Sequence, residues 1–475
     1  MSSRLRNERS PTRRAVLEQG AWLAGAMVLH GATRAQETAR KERPNLVFLC
    51  SDQQHFQALG CADPFFETPE LDRFASESLV FEKSFCSTPL CSPSRSSMLT
   101  GLYPHKTGVM NNIGQRGGAQ LARPTVAVAL RAAGYRTAYF GKWHLGANPV
   151  GNEGWDEAWK KDNDPSTTRR GLDHLRRWKS GDPPFALFLM YLDPHDIYMF
   201  QSGERPGPTD AVPVLDESWE KETLENKPVV QQHYMRNDSG ENFVDAPRET
   251  WESFRLFYRE RVKELDENLA PVLAELRGDV HADRTAVFFS SDHGEMDTRH
   301  RMVLKGPFMY EHVVRIPTIA RLPEAFGGRG PRVEREHCWV NVDLVPTLLE
   351  LAGLQPEEPV DGRSAVPVLR GAEGFEPRRH VIGQFHGKGR WVCPIRMLRT
   401  PRYKYNLYRQ WGEELYDLEQ DPLELVNLAA SESAAPVKAE LRAELEAWMK
   451  ANADPFETLE VSELRRESWR DSMDK

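Results

Sequence analysis

The sequence predicts an α/β fold, a mostly parallel sheet flanked by helices, followed by a small carboxyl-terminal α+β subdomain. Three observations predict it. Short, continuous apolar runs recur, and each ends in an acid or a base: "PNLVFLCSD", "TAYFGKWH", "FALFLMYLDPHD" and "RTAVFFSSDHG". Helical segments such as 249–277 and 342–352 alternate with these runs, as a parallel sheet covered on both faces requires. Near Glu376 the pattern changes to short strands and turns, "HVIGQF", "IRMLRTPRYKYNLY" and "EELYDLEQDPLELVNLA", with a closing helix over 435–452. This subdomain packs on the main sheet or walls the substrate pocket.

Taken in order, residues 1–35 read as an export signal. An arginine-rich start leads into an uncharged run at 19–29, too short to span a bilayer, and small residues follow near Ala32 and Ala35. The paired Arg13 and Arg14 mark the twin-arginine type, so the chain is expected to be periplasmic or secreted, with no stable membrane span once the signal is removed. A polar linker at 37–43 precedes the first strand, which delivers Asp52 and Gln53. Thr125 caps a helix that stops at Gly134, and a strand at 136–140 then delivers Lys142 and His144. Later strands deliver His195, then Asp292 and His293. Ligands of such sheets bind beyond the carboxyl ends of the strands, so these residues share one edge. The expected organisation is a signal at 1–35, a catalytic domain at 43–375, the subdomain at 376–452 and a charged tail at 453–475.

The 475 residues are 40% hydrophobic and 28% charged, a globular composition with net charge −8. Residues 1–35 carry six Arg and two Glu, so the mature chain stands at −12, which excludes nucleic acid as a partner. Six cysteines form no dense framework and no C-x-x-C pair, so zinc-ribbon and thioredoxin-like readings fail, while a bridge between Cys86 and Cys91 stays open.

Asp52, Gln53 and Asp292 offer hard oxygen ligands for a divalent cation, and His293 offers a nitrogen. Cys91 precedes a helix that has Pro93 in its first turn and Gly101 at its end. The amides and dipole at that helix start favour an anion, to which Arg95 and Lys142 add positive charge. A tetrahedral anion held between a metal and a helix start suits phosphate or sulfate transfer.

"CSPSRSSMLTG" resembles the sulfatase motif C-x-P-S-R-x-x-L/M-x-T-G, whose cysteine becomes formylglycine (3-oxoalanine) after translation. Companion motifs follow in the family's order: "SDQ" before it, then "GKWHLG", "PHD", "SDHGE", and His300 and Lys305 in "HRMVLKG". "KYNLY" and "ELYDLEQDPLELVNLA" resemble the family's carboxyl-terminal subdomain, so the likeness runs over 44–429. It implies an alkaline-phosphatase-like fold and one divalent cation, Ca2+ or alternatively Mn2+, on Asp52, Gln53, Asp292, His293 and the modified Cys91. It also implies catalytic roles for Cys91, Arg95, Lys142, His144, His195 and Lys305. Position 91, as a hydrated aldehyde, attacks sulfur; His195 and Lys305 bind the sulfate and assist departure of the alcohol; His144 takes the proton that lets sulfate leave. His300 contacts substrate or buttresses the site. The usual Asp-Asp pair is here Asp52-Gln53, and His293 stands where many members have Asn.

The expected function is therefore a formylglycine-dependent sulfuric ester hydrolase acting on a sulfated small molecule or glycan, with sulfated carbohydrate favoured. "FHGKGRW", 385–391, offers an aromatic and basic wall or ordinary packing. A formylglycine-generating maturation enzyme is the implied protein partner. The first rival is a phosphodiesterase or phosphonate monoester hydrolase on the same site; the second is an inactive, glycan-binding homologue.

Overall fold

The computed structural model describes residues 43–463 except 117, 147–152 and 390. The expected signal at 1–35, with Arg13 and Arg14, and the part of the tail at 464–475 lie outside the described residues. The chain forms strands β1 (Asn45–Asp52), β2 (Leu79–Phe81), β3 (Ser84–Phe85), β4 (Arg136–Gly141), β5 (Glu157–Trp159), β6 (Phe185–Pro194), β7 (Thr285–Ser291), β8 (Thr318–Arg321), β9 (Arg332–Glu334) and β10 (Trp339–Val340). Eight of them make one sheet in the order β5-β4-β6-β1-β7-β8-β2-β9, while β3 and β10 pair separately. Only β8 runs antiparallel to its neighbours; the other pairings in the large sheet are parallel.

The central strand β1 is buried along its whole length, which explains its unbroken apolar sequence. Its side chains alternate between two cores. Leu46, Phe48 and Cys50 pack with Leu130, Trp155 and Leu348, whereas Val47 and Leu49 pack with Phe74, Leu175 and Leu269. The second core is sealed by two helices, α2 (Asp164–Arg177) and α3 (Arg248–Arg277); the second of these buries Leu265, Leu269, Val272 and Leu276 in it at helical spacing. On the other face lies α4 (Leu344–Leu351), shorter than the expected 342–352 because residues 341–343 form a 3-10 turn.

The carboxyl-terminal sheet is antiparallel in chain order: β11 (Val381–Lys388), β12 (Trp391–Arg399), β13 (Tyr403–Tyr408) and β14 (Gly412–Asp417). One face, with Phe385, Ile395, Met397 and Tyr408, enters the same core as Tyr234 and Tyr310. The opposite face, with Ile382, Leu398, Tyr405 and Leu415, packs on Leu441, Leu445 and Met449 of α5 (Ala435–Ala451). Packing therefore runs continuously across the expected 375/376 boundary. Among the described residues no helix is long and apolar enough to cross a membrane.

One local expectation is corrected and one open question is answered. Thr125 stands at a helix start, but its hydroxyl donates to the Glu153 carbonyl at 2.5 Å and caps no helical amide. Cys86 and Cys91 are not bridged: all six cysteines are free, and the Cys86 thiol donates to the Val313 carbonyl.

Candidate active site

The helix after the Cys-Ser-Pro-Ser-Arg stretch, α1 (Cys91–Thr100), begins at Cys91 itself and is buried at every residue. Burying so polar a helix requires its hydroxyls to find partners inside. Ser92 donates to the His144 carbonyl at 2.6 Å, Ser94 to the Asp292 carbonyl at 2.5 Å, and Thr100 to the Ser96 carbonyl at 2.7 Å. The first two bonds tie this helix to the loops that carry the other site residues. Gly101, left-handed at φ 74°, ends the helix as expected.

Arg95 clamps two strand ends together. Its Nε donates to Asp292 Oδ2 at 2.9 Å, one terminal nitrogen donates to Asp52 Oδ2 at 2.8 Å, and the other donates to the Lys142 carbonyl at 2.9 Å. Lys142 Nζ also reaches Asp52 Oδ2, at 2.8 Å. Lys142 is delivered by Gly141, where φ is 106° and a Cβ would sit 2.0 Å from the Met190 carbonyl oxygen, so only glycine fits.

With both Oδ2 atoms held by cations, the Oδ1 atoms point elsewhere. Asp52 Oδ1 lies 3.8 Å from Cys91 Sγ and 3.7 Å from His293 Nε2; Asp292 Oδ1 lies 3.6 Å from His293 Nε2, which is 3.3 Å from Cys91 Sγ. One donor atom from each of Asp52, Cys91, Asp292 and His293 thus falls within 4.8 Å of the others. His293 Nδ1 faces the Gly294 carbonyl at 2.9 Å, so Nδ1 carries the proton and Nε2 turns its lone pair toward the cluster. Two carboxylate oxygens, a sulfur position and an imidazole nitrogen fit a divalent cation. Gln53, at φ 69°, donates its backbone N–H to Asp292 Oδ1 at 3.1 Å; its side-chain oxygen accepts from Lys305 Nζ.

His195 follows β6 directly and lies within electrostatic reach of Lys142, Asp52 and Lys305. Burial and the Lys142 ammonium lower its pKa to about 4, so it is neutral at pH 7. Burial and Asp52 would raise the Cys91 thiol, yet the Lys305 and Lys142 ammoniums hold it well below the ordinary thiol range. His144 adopts φ 54° and its Nδ1 has no hydrogen-bond partner among the described residues. Of ten non-glycine residues with positive φ among those described, seven lie in the site loops: Gln53, His144, Asp297, Thr298, His300, Arg301 and Leu304. Strain concentrated in this way marks a functional centre.

His300 stands apart. It is buried, its Nδ1 pairs with Glu222 Oε2 at 2.8 Å, and its ring stacks on Tyr310 at 3.9 Å, the contacts of a buttress. The "FHGKGRW" stretch divides: Phe385 is core, while Lys388 Nζ donates to the Lys305 carbonyl at 3.0 Å and lies beside the site. Sequence reasoning passed over Tyr198, whose ring leans on His195 at 4.9 Å, and Glu295, which accepts from the Gln53 amide. Glu295 was within reach, since it stands two residues past His293.

A buried thiol at a helix start, ringed by carboxylates, lysines and histidines at the carboxyl edge of a parallel sheet, defines a hydrolase of tetrahedral oxyanion esters. The chain belongs to the sulfatase family of the alkaline phosphatase superfamily: the family model described as Sulfatase matches residues 44–354. A second model, for the carboxyl-terminal part of N-sulphoglucosamine sulphohydrolase, matches residues 299–451. The chain is 28% identical over 456 residues to a Delta 4,5-hexuronate-2-O-sulfatase of Bacteroides thetaiotaomicron, covering 89% of this chain and 92% of the relative. The structure of a 2-O GAG sulfatase matches with TM-score 0.78 at 25% identity, covering 88% of this chain and 95% of that one. A phosphonate monoester hydrolase of Agrobacterium radiobacter shares the fold, with TM-score 0.71 at 23% identity over 86% of this chain and 96% of its own.

Proposed function

We propose that this sulfuric ester hydrolase desulfates a carbohydrate, using formylglycine formed from Cys91 and one divalent cation, Ca2+ or Mn2+. The observation that carries the proposal is the convergence of Cys91 Sγ, two carboxylate oxygens and His293 Nε2 beneath the Lys142 and Lys305 ammoniums. The names of the hexuronate-2-O-sulfatase and the 2-O GAG sulfatase support the carbohydrate class. Asp52, Gln53, Asp292 and His293 would hold the cation, which supplies Lewis acidity at position 91 and at the sulfate oxygen. Formylglycine, when hydrated, supplies one hydroxyl to attack sulfur and a second whose deprotonation releases sulfate.

This chain's own side chains do the rest. Arg95 fixes Asp52 and Asp292 in place. Lys142, Lys305 and neutral His195 bind the sulfate oxygens and meet the negative charge that grows on the leaving alcohol. His144 Nδ1 is without a hydrogen-bond partner among the described residues, and the ring accepts the proton from the second hydroxyl. Cys91 is 1% exposed within a wholly buried helix, so the maturation enzyme must act before α1 packs. Export of the folded, metal-loaded chain by the twin-arginine signal follows; replacing Arg13 and Arg14 with Lys should strand precursor in the cytoplasm, and normal export would remove this part.

The closing test compares the sulfate and phosphate monoesters of one alcohol, then repeats the sulfate assay with His144→Ala. The proposal expects higher kcat/KM for the sulfate, and a His144→Ala burst of about one equivalent of alcohol followed by turnover slowed on the order of 10^2- to 10^4-fold. Faster phosphate or phosphonate hydrolysis favours the rival activity; no burst overturns the role of His144.

A further inference from the structure

Gln53 is the one proposed metal ligand whose two terminal atoms differ, so it works only in one orientation. A carboxylate presents oxygen whichever way it turns; an amide presents oxygen or NH2. Behind Gln53 stands Glu295, fully buried at 0% exposure. Gln53 Nε2 donates to Glu295 Oε2 at 2.5 Å, and Gln53 Oε1 accepts from Lys305 Nζ. The backbone of Gln53 is held as well, by its N–H to Asp292 Oδ1 at 3.1 Å and by the Tyr258 hydroxyl on its carbonyl at 2.8 Å. The other Glu295 oxygen accepts the Leu304 N–H. Among the described residues no ion pair to Glu295 is found within 4.0 Å, so its hydrogen-bond partners are the Gln53 amide and the 297–304 loop.

From this geometry we propose that Glu295 is a positioning residue, fixing the Gln53 amide with its oxygen toward Lys305 and the metal centre. While ionised, Glu295 can only accept, so it admits only the NH2 end of Gln53, and the opposite end is thereby turned into the site. The inference rests on the proposed metal site with Gln53 as a ligand.

Glu295→Gln isolates this role: with its one oxygen kept for the Leu304 N–H, the introduced amide turns its NH2 to Gln53, which must then give its own oxygen to position 295 and its NH2 to the site. Metal-stripped protein is titrated with Ca2+ and with Mn2+ at pH 8 by calorimetry, alongside thermal melts, for wild type, Glu295→Gln, Gln53→Glu and the double variant. Glu295→Gln should weaken cation binding on the order of 10- to 100-fold with the melting point of the stripped protein near wild type. In the Gln53→Glu background the same change should strengthen binding, because a carboxylate at 53 needs no orienting and is repelled by Glu295. Unchanged affinity in Glu295→Gln overturns the inference, as does an equal loss in both backgrounds, which would mark a general support of the loop. A wild-type protein that takes up neither cation overturns the metal reading as well, so the two failures are told apart.

Discussion

Two buried clusters of charge make an instructive pair. At the edge of the main sheet, Asp52, Asp292, His293 and Cys91 turn donor atoms toward one another within 4.8 Å. Beside the carboxyl-terminal sheet, Glu311 meets Lys404 Nζ at 2.8 Å and Arg399 at 3.2 Å, and the same Lys404 Nζ meets Glu424 at 2.7 Å. In the second cluster acids and bases alternate, so each charge is answered in place. In the first, Arg95 and Lys142 answer only the outer carboxylate oxygens, and the inner ones are left facing a common centre. Burying like donors together is unfavourable unless something positive joins them. That difference separates a site from a strut.

The comparison breaks most visibly at Asp292. Asp292→Ala should lose the cation and lower turnover on the order of 10^3-fold or more, while the protein stays folded. Elemental analysis of the purified variant checks it, and full metal occupancy would show that the inner oxygens serve no cation.

The strut should fail in the opposite way. Glu311→Gln leaves Lys404 and Arg399 without their shared anion and should cost about 3–5 kcal/mol of stability, with cation affinity and activity per folded molecule unchanged. Burial would raise the Glu311 carboxyl, but Arg399, Lys404 and Arg315 pull it well below the usual range. A depressed native pKa gives stability that is complete above the unfolded value of about 4.3 and is lost as pH falls toward the native one. The gap in melting temperature between wild type and Glu311→Gln should therefore hold from pH 7 down to about 4.3 and narrow below it. A gap that is constant at lower pH would mean the ion pairs contribute nothing.

Asp193 offers the smallest and sharpest contrast, an acid at the end of β6 that makes no ion pair within 4.0 Å among the described residues, with Arg261 acting on it only from further off. Its Oδ1 has no hydrogen-bond partner among the described residues, and burial, Asp164 and Asp196 raise it to about 8. A raised carboxyl pKa means the folded state keeps a proton that the unfolded state releases, so stability falls as pH climbs from about 3.9 toward 8. Asp193→Asn should raise the melting temperature by a few degrees at pH 8 and by less at pH 5. Equal shifts at both values would show that Asp193 does not titrate in this window.

Much of the site was legible in the sequence because its residues stand at strand ends, where a short apolar run stops at an acid or base. Asp52, Lys142, His195 and Asp292 follow that rule, and one sheet edge gathers them. The ordered motifs added Cys91, Arg95 and Lys305. What stayed hidden depends on contacts between segments far apart in the chain. His300 reads alike as substrate contact or buttress until Glu222 and Tyr310 appear around it. Thr125 has the residue type of a cap, but a hydroxyl donates its proton wherever a carbonyl is nearest, here Glu153. The subdomain boundary was read from a change of pattern, whereas the alternate residues of β11 to β14 face two different cores, which no local pattern reports.

The central claim is that position 91 acts as an aldehyde hydrate and not as a thiol. Trypsin should release residues 84–95, "SFCSTPLCSPSR", which contains both Cys86 and Cys91. Active protein should be alkylated and the peptide sequenced by mass spectrometry alongside turnover of a sulfate ester. The account expects Cys86 alkylated as an ordinary thiol and position 91 converted to formylglycine, in a fraction that rises with specific activity. Fully active protein in which both cysteines are alkylated would contradict it.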